Sequence, residues 1–151
     1  MAGLKISINA IHKISKSSPE EIIIADYLKR LPAKLEIKQF ETKDKFPPDK
    51  QKIYEGGVLL KDISTSAFVI ALEEKGKQFT SVEFASYLEN TLQPIVFIIG
   101  GAYGLSNEVR SRANLILSLG EMTMPHILAR VVLVEQIYRA YTITKNHPYH
   151  K

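Results

Sequence analysis

The sequence contains no cysteine, which excludes disulfide bonds, thiolate metal sites and a cysteine nucleophile and is compatible with a reducing compartment. It also lacks an apolar run of membrane-spanning length. Residues 1–14 mix basic side chains into a short apolar stretch without a small-residue cleavage pattern, so they do not resemble a signal peptide. These absences predict a cytoplasmic protein that does not enter a membrane.

Several catalytic and metal-binding motifs are absent as well. There is no Gly-x-x-x-x-Gly-Lys-Ser/Thr phosphate loop, and no His-Glu-x-x-His or other paired-histidine helix spacing for zinc. Ser106 follows Gly104 but does not lie in a Gly-x-Ser-x-Gly turn, so a serine hydrolase is disfavoured. The sequence therefore predicts no metal centre.

The chain has 151 residues, of which 45% are apolar, and this fits a single domain over residues 1–151 with one core. Its net charge of +4 is unevenly distributed. Residues 125–151 carry +3 of it, from Arg130, Arg139, Lys145 and Lys151 against Glu135. A basic segment attracts polyanions through counterion release, although a solvated helix face explains the charge alone more simply.

Apolar runs alternate with helical patterns along the whole chain. Strands are predicted at residues 4–11, 35–40, 67–72, 95–100 and 114–119. Helix starts are marked by Ser18-Pro19, by the capping box from Thr80 to Glu83, and by Ser106. A further helix follows Pro47-Pro48, and Gly56-Gly57 weakens it in the middle. This alternation predicts an α/β fold with a mostly parallel sheet flanked by helices.

Glycines cluster where two of these strands end. The fourth strand opens onto Gly100, Gly101 and Gly104, and the fifth opens onto Gly120 and then Pro125. Ligands of α/β proteins bind at the carboxyl ends of parallel strands, and glycine lets the main chain come close to them. We therefore predict a cofactor site formed by these two strand ends.

The same segment partly resembles a dinucleotide-binding unit. A strand, a glycine turn, a helix and a second strand are followed by Glu121, about 20 residues on. However, Ile99 stands where the first glycine of the fingerprint belongs. A nicotinamide-dependent dehydrogenase is therefore left as an alternative.

A more specific resemblance covers essentially the whole chain. It is carried by Leu72-Glu73, by the run from Phe97 to Leu105, by the loop from Leu117 to His126, and by the tail from Arg130 to Lys151. These motifs resemble the ribosomal RNA large subunit methyltransferase H family, the 23S rRNA pseudouridine-1915 N3-methyltransferases of the SPOUT superfamily. Family members often carry Val-Gly where this chain has Asn9-Ala10.

The resemblance implies a fold in which the carboxyl-terminal part threads a loop to form a trefoil knot. It implies that S-adenosylmethionine binds in the knot, held largely by main-chain groups. It also implies a homodimer that methylates N3 of a pseudouridine in 23S rRNA. Because a chain of this size shows no separate RNA-binding domain, we expect it to recognise this site in the assembled ribosome. The implied cofactor-binding residues are Leu72, Gly101, Gly120, Glu121, Met122, Thr123, Met124 and Pro125.

Methyl transfer to N3 requires loss of an imide proton, so a base near the target is useful. His126 and Glu73 are the two candidates for this base. The alternative interpretation is that His126 is an ordinary histidine at a helix terminus and Glu73 a solvated carboxylate in a loop. The resemblance implies that Tyr149 and His150 reach the site of the other subunit and act in catalysis and RNA binding there.

Arg130 and Arg139 are candidate partners for RNA phosphates or the cofactor carboxylate, although surface ion pairing explains them nearly as well. Glu135 and Arg139 have the spacing of an i,i+4 pair. A noncatalytic RNA-binding module with a vestigial cofactor pocket is the alternative from another functional class.

Overall fold

The computed structural model describes residues 5–32 and 34–151. Within these ranges five strands alternate with five helices, as the sequence predicts. The elements are β1 (Ile6–Ile11), α1 (Pro19–Arg30), β2 (Leu35–Phe40), α2 (Pro48–Leu60), β3 (Phe68–Gln78), α3 (Ser81–Glu89), β4 (Ile95–Ile99), α4 (Asn107–Arg112), β5 (Leu115–Ser118) and α5 (His126–Thr144). Residue 4, the predicted start of the first strand, lies outside the described ranges.

The described strands form one parallel sheet in the order β2-β1-β4-β3-β5. This confirms the α/β class. Ile8 pairs with Ile37 on one side and with Phe97 on the other, so β1 lies inside the sheet, between β2 and β4. The threaded knot stays a prediction.

Helices cover both faces of the sheet, which is why its middle strand, β4, is continuously apolar. One core contains Ile24 of α1, Leu88 of α3 and Ile137 of α5. The other contains Leu59 of α2 and Val109 of α4. No helix of the described ranges is long and apolar enough to cross a membrane.

The predicted helix starts are confirmed by side-chain caps. Ser18 Oγ accepts from the Glu21 N–H at 3.2 Å, and Ser106 Oγ accepts from the Val109 N–H at 3.2 Å. Thr80 forms both hydrogen bonds of a capping box. These bonds satisfy amide donors that a helix leaves free at its first turn.

Helix α2 forms in spite of its glycine pair because one of the two glycines makes a close helix contact. A Cβ on Gly56 would collide with Ser106 Oγ and would lie 3.2 Å from Val109 Cγ2. Gly57 faces solvent, and a Cβ there would have no neighbour within 4 Å. The bare Gly56 backbone therefore lets α2 lie against the start of α4.

Strand β3 extends six residues beyond its predicted end at Leu72. Its register against β5 breaks between Leu72 and Lys77, so the intervening residues bulge from the ladder. Gly76 permits this, since a Cβ there would lie 2.6 Å from the Ile116 carbonyl oxygen. The bulge places Glu73 and Glu74 beside the carboxyl edge of the sheet.

Candidate functional site

A cavity of about 350 Å³ opens at the carboxyl ends of β4, β3 and β5. This is the sheet edge where ligands of parallel α/β proteins bind, and the volume lies in the range of small-molecule sites. The wall is formed by Leu72, Glu73, Glu74, Lys75, Ile99, Gly100, Gly101, Gly104, Leu105, Arg110, Leu117, Leu119, Gly120, Met122, Met124, His126 and Ala129.

Two glycine turns present main chain to this cavity. In the first, the Gly104 N–H donates to the Gly101 carbonyl at 3.1 Å, and Gly104 has φ 83°. A Cβ on Gly100 would lie 2.9 Å from the Gly104 carbonyl oxygen, so this turn closes only around glycine. In the second, Gly120 has φ 143° and donates its N–H to Ser118 Oγ at 3.1 Å.

The side chain of Ser118 also connects the second turn to the bulge of β3. Its hydroxyl donates to the Glu74 carbonyl oxygen at 2.8 Å. The wall that the sequence assigns to a cofactor is therefore held by hydrogen bonds between two neighbouring strand ends.

Five of the eight residues expected to bind the cofactor line the cavity, namely Leu72, Gly101, Gly120, Met122 and Met124. The other three are exposed and lie outside its wall, namely Glu121, Thr123 and Pro125. Thr123 Oγ1 donates to Glu74 Oε2 at 3.0 Å, and Pro125 directly precedes α5. These two residues shape the loop rather than the cavity surface.

His126 is the first residue of α5 and lines the cavity. Its ring lies edge-on to that of His12, with centroids 5.5 Å apart. Burial lowers the pKa of His126, and His12 and Arg130 lower it further, while Glu55 acts in the opposite direction. The imidazole is therefore neutral near pH 7, which is the form that can accept a proton.

Glu73 also lines the cavity, but it is held in an ion pair. Arg110 donates to it from Nη2 at 2.8 Å and from Nε at 2.9 Å. The hydrogen bonds from Arg110 hold the pKa of Glu73 below its ordinary value. Of the two candidate bases, the structure therefore favours His126, since both carboxylate oxygens of Glu73 are occupied by Arg110 and a carboxylate is ordinarily a weaker proton acceptor than an imidazole.

The placement of Arg130 does not support the predicted contact with phosphate or a cofactor carboxylate. The residue is 1% exposed, although the charge pattern alone placed it on a basic surface. Its guanidinium donates to Gln39 Oε1 at 2.7 Å and to the carbonyls of Ile11 and His12 at 3.1 and 2.9 Å. Arg130 therefore connects α5 to the end of β1, where His12 has the unusual φ of 91°.

The predicted pair of Glu135 and Arg139 is confirmed, with Arg139 Nη2 donating at 2.6 Å. It organises the tail of the chain. Tyr149 donates its hydroxyl to Glu135 Oε1 at 2.9 Å, and Arg139 Nη1 donates to His150 Nδ1 at 3.0 Å. The Tyr27 hydroxyl lies 3.0 Å from that of Tyr149, and burial together with these partners raises the pKa of Tyr149.

The tail does not contribute to the cavity of its own protomer. Tyr149 and His150 are absent from the cavity wall and instead pack beside Arg139. Arg139 lies 13 residues after His126 on α5, which corresponds to about 20 Å along a helix. Tyr149 and His150 therefore lie away from the cavity described here.

Three residues near the cavity were missed from the sequence: Arg110, Glu74 and Glu55. Arg110 and Glu74 were missed because the bulge of β3 was not predicted. Glu55 carried a usable signal, since Gln51, Glu55 and Leu59 follow the i, i+4, i+8 spacing of one helix face, and all three are buried. Across residues 5–32 and 34–151, no cluster of His, Asp or Glu could hold a metal ion.

A family model described as "Predicted SPOUT methyltransferase" matches residues 4–150. The chain belongs to this family. It is 42% identical to the ribosomal RNA large subunit methyltransferase H of Streptococcus pneumoniae strain CGSP14, with 98% of this chain and 100% of that protein covered. The protein of the same name from S. pneumoniae strain JJA matches equally.

Among solved structures, this SPOUT methyltransferase resembles the SpoU methyltransferase AviRb of Streptomyces viridochromogenes, solved in complex with AdoMet. The TM-score is 0.50 at 14% identity, over 91% of this chain and 58% of that one, and it supports the fold alone. The family resemblance stated from the motifs is thus confirmed, and it removes the dehydrogenase alternative.

Proposed function

We propose that this SPOUT methyltransferase transfers a methyl group from S-adenosylmethionine to N3 of a pseudouridine in 23S rRNA, at the position equivalent to 1915. It acts as a homodimer in the cytoplasm, on the assembled ribosome. The full-length match to relatives named as large subunit rRNA methyltransferases supports the substrate class. The observation that carries the proposal is the cavity at three strand ends, bounded by bare main chain and by His126.

The cavity wall suits S-adenosylmethionine. Bare main chain at Gly101 and Gly120 offers hydrogen-bonding groups, and Leu72, Met122 and Met124 offer apolar contact. Met122 is 80% exposed, so it has surface left to cover a ligand. When bound, the cofactor supplies a methyl group activated on a positively charged sulfur.

In this reaction the protein has two tasks, which are to position the reacting groups and to accept a proton. Main chain at Gly101 and Gly120 and the side chains of Leu72, Met122 and Met124 would hold S-adenosylmethionine, which would supply its methyl group to N3 of the pseudouridine. A rigid wall that fixes the reacting groups relative to each other contributes much of the rate. His126 accepts the imide proton, because it is neutral and lies at the cavity.

A dimer is needed to bring the tail to a cavity. Ile22 and Ile23 of α1 and Leu128 of α5 are exposed by 62%, 44% and 46%, on two helices that pack together. Exposed aliphatic side chains on neighbouring helices support a contact with a second copy. In that arrangement, Tyr149 and His150 of each protomer serve the cavity of the other, with Arg139 beside them for a phosphate.

Cofactor binding is tested by calorimetry with S-adenosylmethionine and, as a comparison, NAD. We expect binding of S-adenosylmethionine, and we expect Gly101→Ala to weaken it because the new Cβ would lie 2.9 Å from Glu55 Oε1 and displace the turn that lines the cavity. A wild-type protein that binds no S-adenosylmethionine would refute the enzyme and leave an RNA-binding module.

Sharing of residues between protomers is tested with mixed dimers. We prepare His126→Ala and the double variant Tyr149→Ala/His150→Ala, and each alone should lose methyl transfer while the double variant still binds the cofactor. When the two are mixed and exchanged, the heterodimer has one cavity with an intact His126 and an intact tail from its partner. Recovery of activity is expected, and no recovery in verified heterodimers contradicts the shared site.

The substrate is tested by mass mapping of methylated nucleotides in 23S rRNA from cells that lack the protein. We expect loss of one methyl group, on N3 of a single pseudouridine. Purified protein should restore it on ribosomes more rapidly than on free rRNA. An unchanged methylation map contradicts the proposed target.

A further inference from the structure

A buried carboxylate lies directly behind the first glycine turn. Glu55 of α2 is 5% exposed, and its Oε2 accepts from Thr42 Oγ1 at 2.8 Å and from Gln51 Nε2 at 3.3 Å. Its Oε1 has no hydrogen-bond partner among the residues that the structure describes. A Cβ on Gly101 would lie 2.9 Å from Oε1, so this oxygen is in contact with the turn that lines the cavity.

Other buried polar atoms lie on residues that pack around the same turn: a Cβ on Gly101 would lie 3.3 Å from Ile11 Cγ2, and Arg130 donates to the Ile11 carbonyl at 3.1 Å. Nε2 of His126 and Nε of Arg130 are also buried without partners among the described residues. His12 lies against the His126 ring, and its carbonyl accepts from Arg130. Unpaired polar atoms are costly to bury, so their concentration in one place next to a cavity indicates a functional arrangement.

The charges that act on His126 come from three packed elements. Arg130 lies one turn along on α5, His12 directly follows β1, and Glu55 belongs to α2. Arg130 and His12 oppose a positive charge on His126, and Glu55 is the one group among these three that favours it.

The two carboxylates on the cavity side of His126 already have hydrogen-bond partners. Glu73 pairs with Arg110, and Glu74 accepts from Thr123. Lys75, which lines the same wall, would also oppose a positive charge. The electrostatic support for a protonated His126 therefore has to come from behind the wall.

We propose that Glu55 is a positioning residue that acts through His126, and that its carboxylate stabilises the imidazolium formed when His126 accepts the N3 proton. The proposal rests on the function proposed above. The proton leaves N3 as the methyl group arrives, and it resides on the imidazole until solvent removes it. The unpaired Oε1 of Glu55 is compensated when the positive charge appears on His126.

The test is Glu55→Gln, which keeps the shape and removes the charge. The His126 ring is titrated by NMR in the free protein, so this readout needs no methyl transfer. Loss of the carboxylate should lower the pKa of His126 by about half a unit to one unit. The acid limb of the rate profile, where His126 becomes neutral, should shift to lower pH by the same amount.

We expect kcat on the plateau to fall by up to about three- to tenfold, because the imidazolium is less stable, while the KM for S-adenosylmethionine changes less than about twofold. Asp49→Asn is the matched control, since Asp49 is an exposed acid on the same helix. It should leave both the titration and the rate profile unchanged. Glu55→Asp keeps the charge and should restore most of the rate.

An unchanged His126 titration in folded Glu55→Gln overturns the inference, and so does a slower reaction with an unshifted acid limb. If Glu55→Gln does not fold, the wild type still tests it: the Glu55 carboxyl carbon signal should move at the midpoint of the His126 titration. A Glu55 signal that does not move at this midpoint overturns the inference. A wild-type protein without methyl transfer would instead refute the proposed function, whatever the titration shows.

Discussion

The two adjacent glycines of α2 should respond to the same substitution with opposite signs. A Cβ on Gly56 would collide with Ser106 Oγ and lie 3.2 Å from both Ser106 Cβ and Val109 Cγ2. Ser106 and Val109 are 2% and 0% exposed, so neither has free space to move into. Gly56→Ala should therefore destabilise the fold, whereas Gly57→Ala meets nothing and should stabilise it.

The magnitudes follow from three effects at Gly56 and one at Gly57. Overpacking costs about 1–3 kcal/mol, and displacing Ser106 from its cap on α4 costs about 1 kcal/mol. Replacing glycine by alanine within a helix returns about 1 kcal/mol. Gly56→Ala should therefore lose about 1–3 kcal/mol of unfolding free energy, and Gly57→Ala should gain about 0.5–1 kcal/mol.

Urea unfolding followed by far-ultraviolet circular dichroism measures this difference, since the chain has no tryptophan. All variants must be compared at one protein concentration, because the unfolding free energy of the proposed dimer would depend on that concentration. In thermal scans, each kcal/mol corresponds to about 2–4 °C for a chain of this size. Equal stability of the two variants would refute the close contact between α2 and α4.

Three further changes test the site. Arg130→Met should cost about 3 kcal/mol of unfolding free energy, because carbonyls buried under the guanidinium lose their donor. Glu73→Gln should cost less than about 1 kcal/mol at neutral pH, since the Arg110 and Glu73 side chains are 40% and 25% exposed. The pKa of Glu73 is lowered in the fold, so its contribution is present above its unfolded pKa and is lost as pH falls through the folded pKa. Gly101→Ala should weaken cofactor binding about tenfold in calorimetry, because its Cβ would press on Glu55 Oε1.

For each of these three variants, one outcome would contradict the prediction. A stable Arg130→Met with weakened RNA binding would restore the predicted phosphate contact. A Glu73→Gln penalty that persists in acid would mean that the ion pair is not its cause. Unchanged cofactor affinity in Gly101→Ala would place the ligand away from the first glycine turn.

Element types and order could be predicted because each strand is a short apolar run and most helix starts carry their own cap. Ser18, Thr80 and Ser106 all cap the helices that they were expected to begin. The extension of β3 could not be predicted, since residues 73–78 are mostly polar and only the last two, Lys77 and Gln78, pair with β5. That pairing depends on the close approach of Gly76 to Ile116, which local sequence does not show.

The glycine turns of the site were visible in the sequence because they interrupt strands, but partners distant along the chain were not. Glu73 and Arg110 are 37 residues apart, and Arg130 meets β1 across more than 110 residues. Net charge placed Arg130 on a surface, whereas tertiary packing buried it. Charge patterns therefore locate candidate residues but do not show which of them remain accessible.

The position of β1 in the sheet affects how the chain folds while it is being synthesised. β1 pairs with β2 and also with β4, where Ile6 lies opposite Ile95. The carboxyl-terminal partner of that pair leaves the ribosome long after β1 has emerged. Until then, one edge of β1 is unpaired, and Ile8, which is fully buried in the finished fold, lacks its Phe97 neighbour. Such distant pairing slows folding and exposes intermediates to aggregation, so the amino-terminal strand is the segment that depends most on timely completion of the chain.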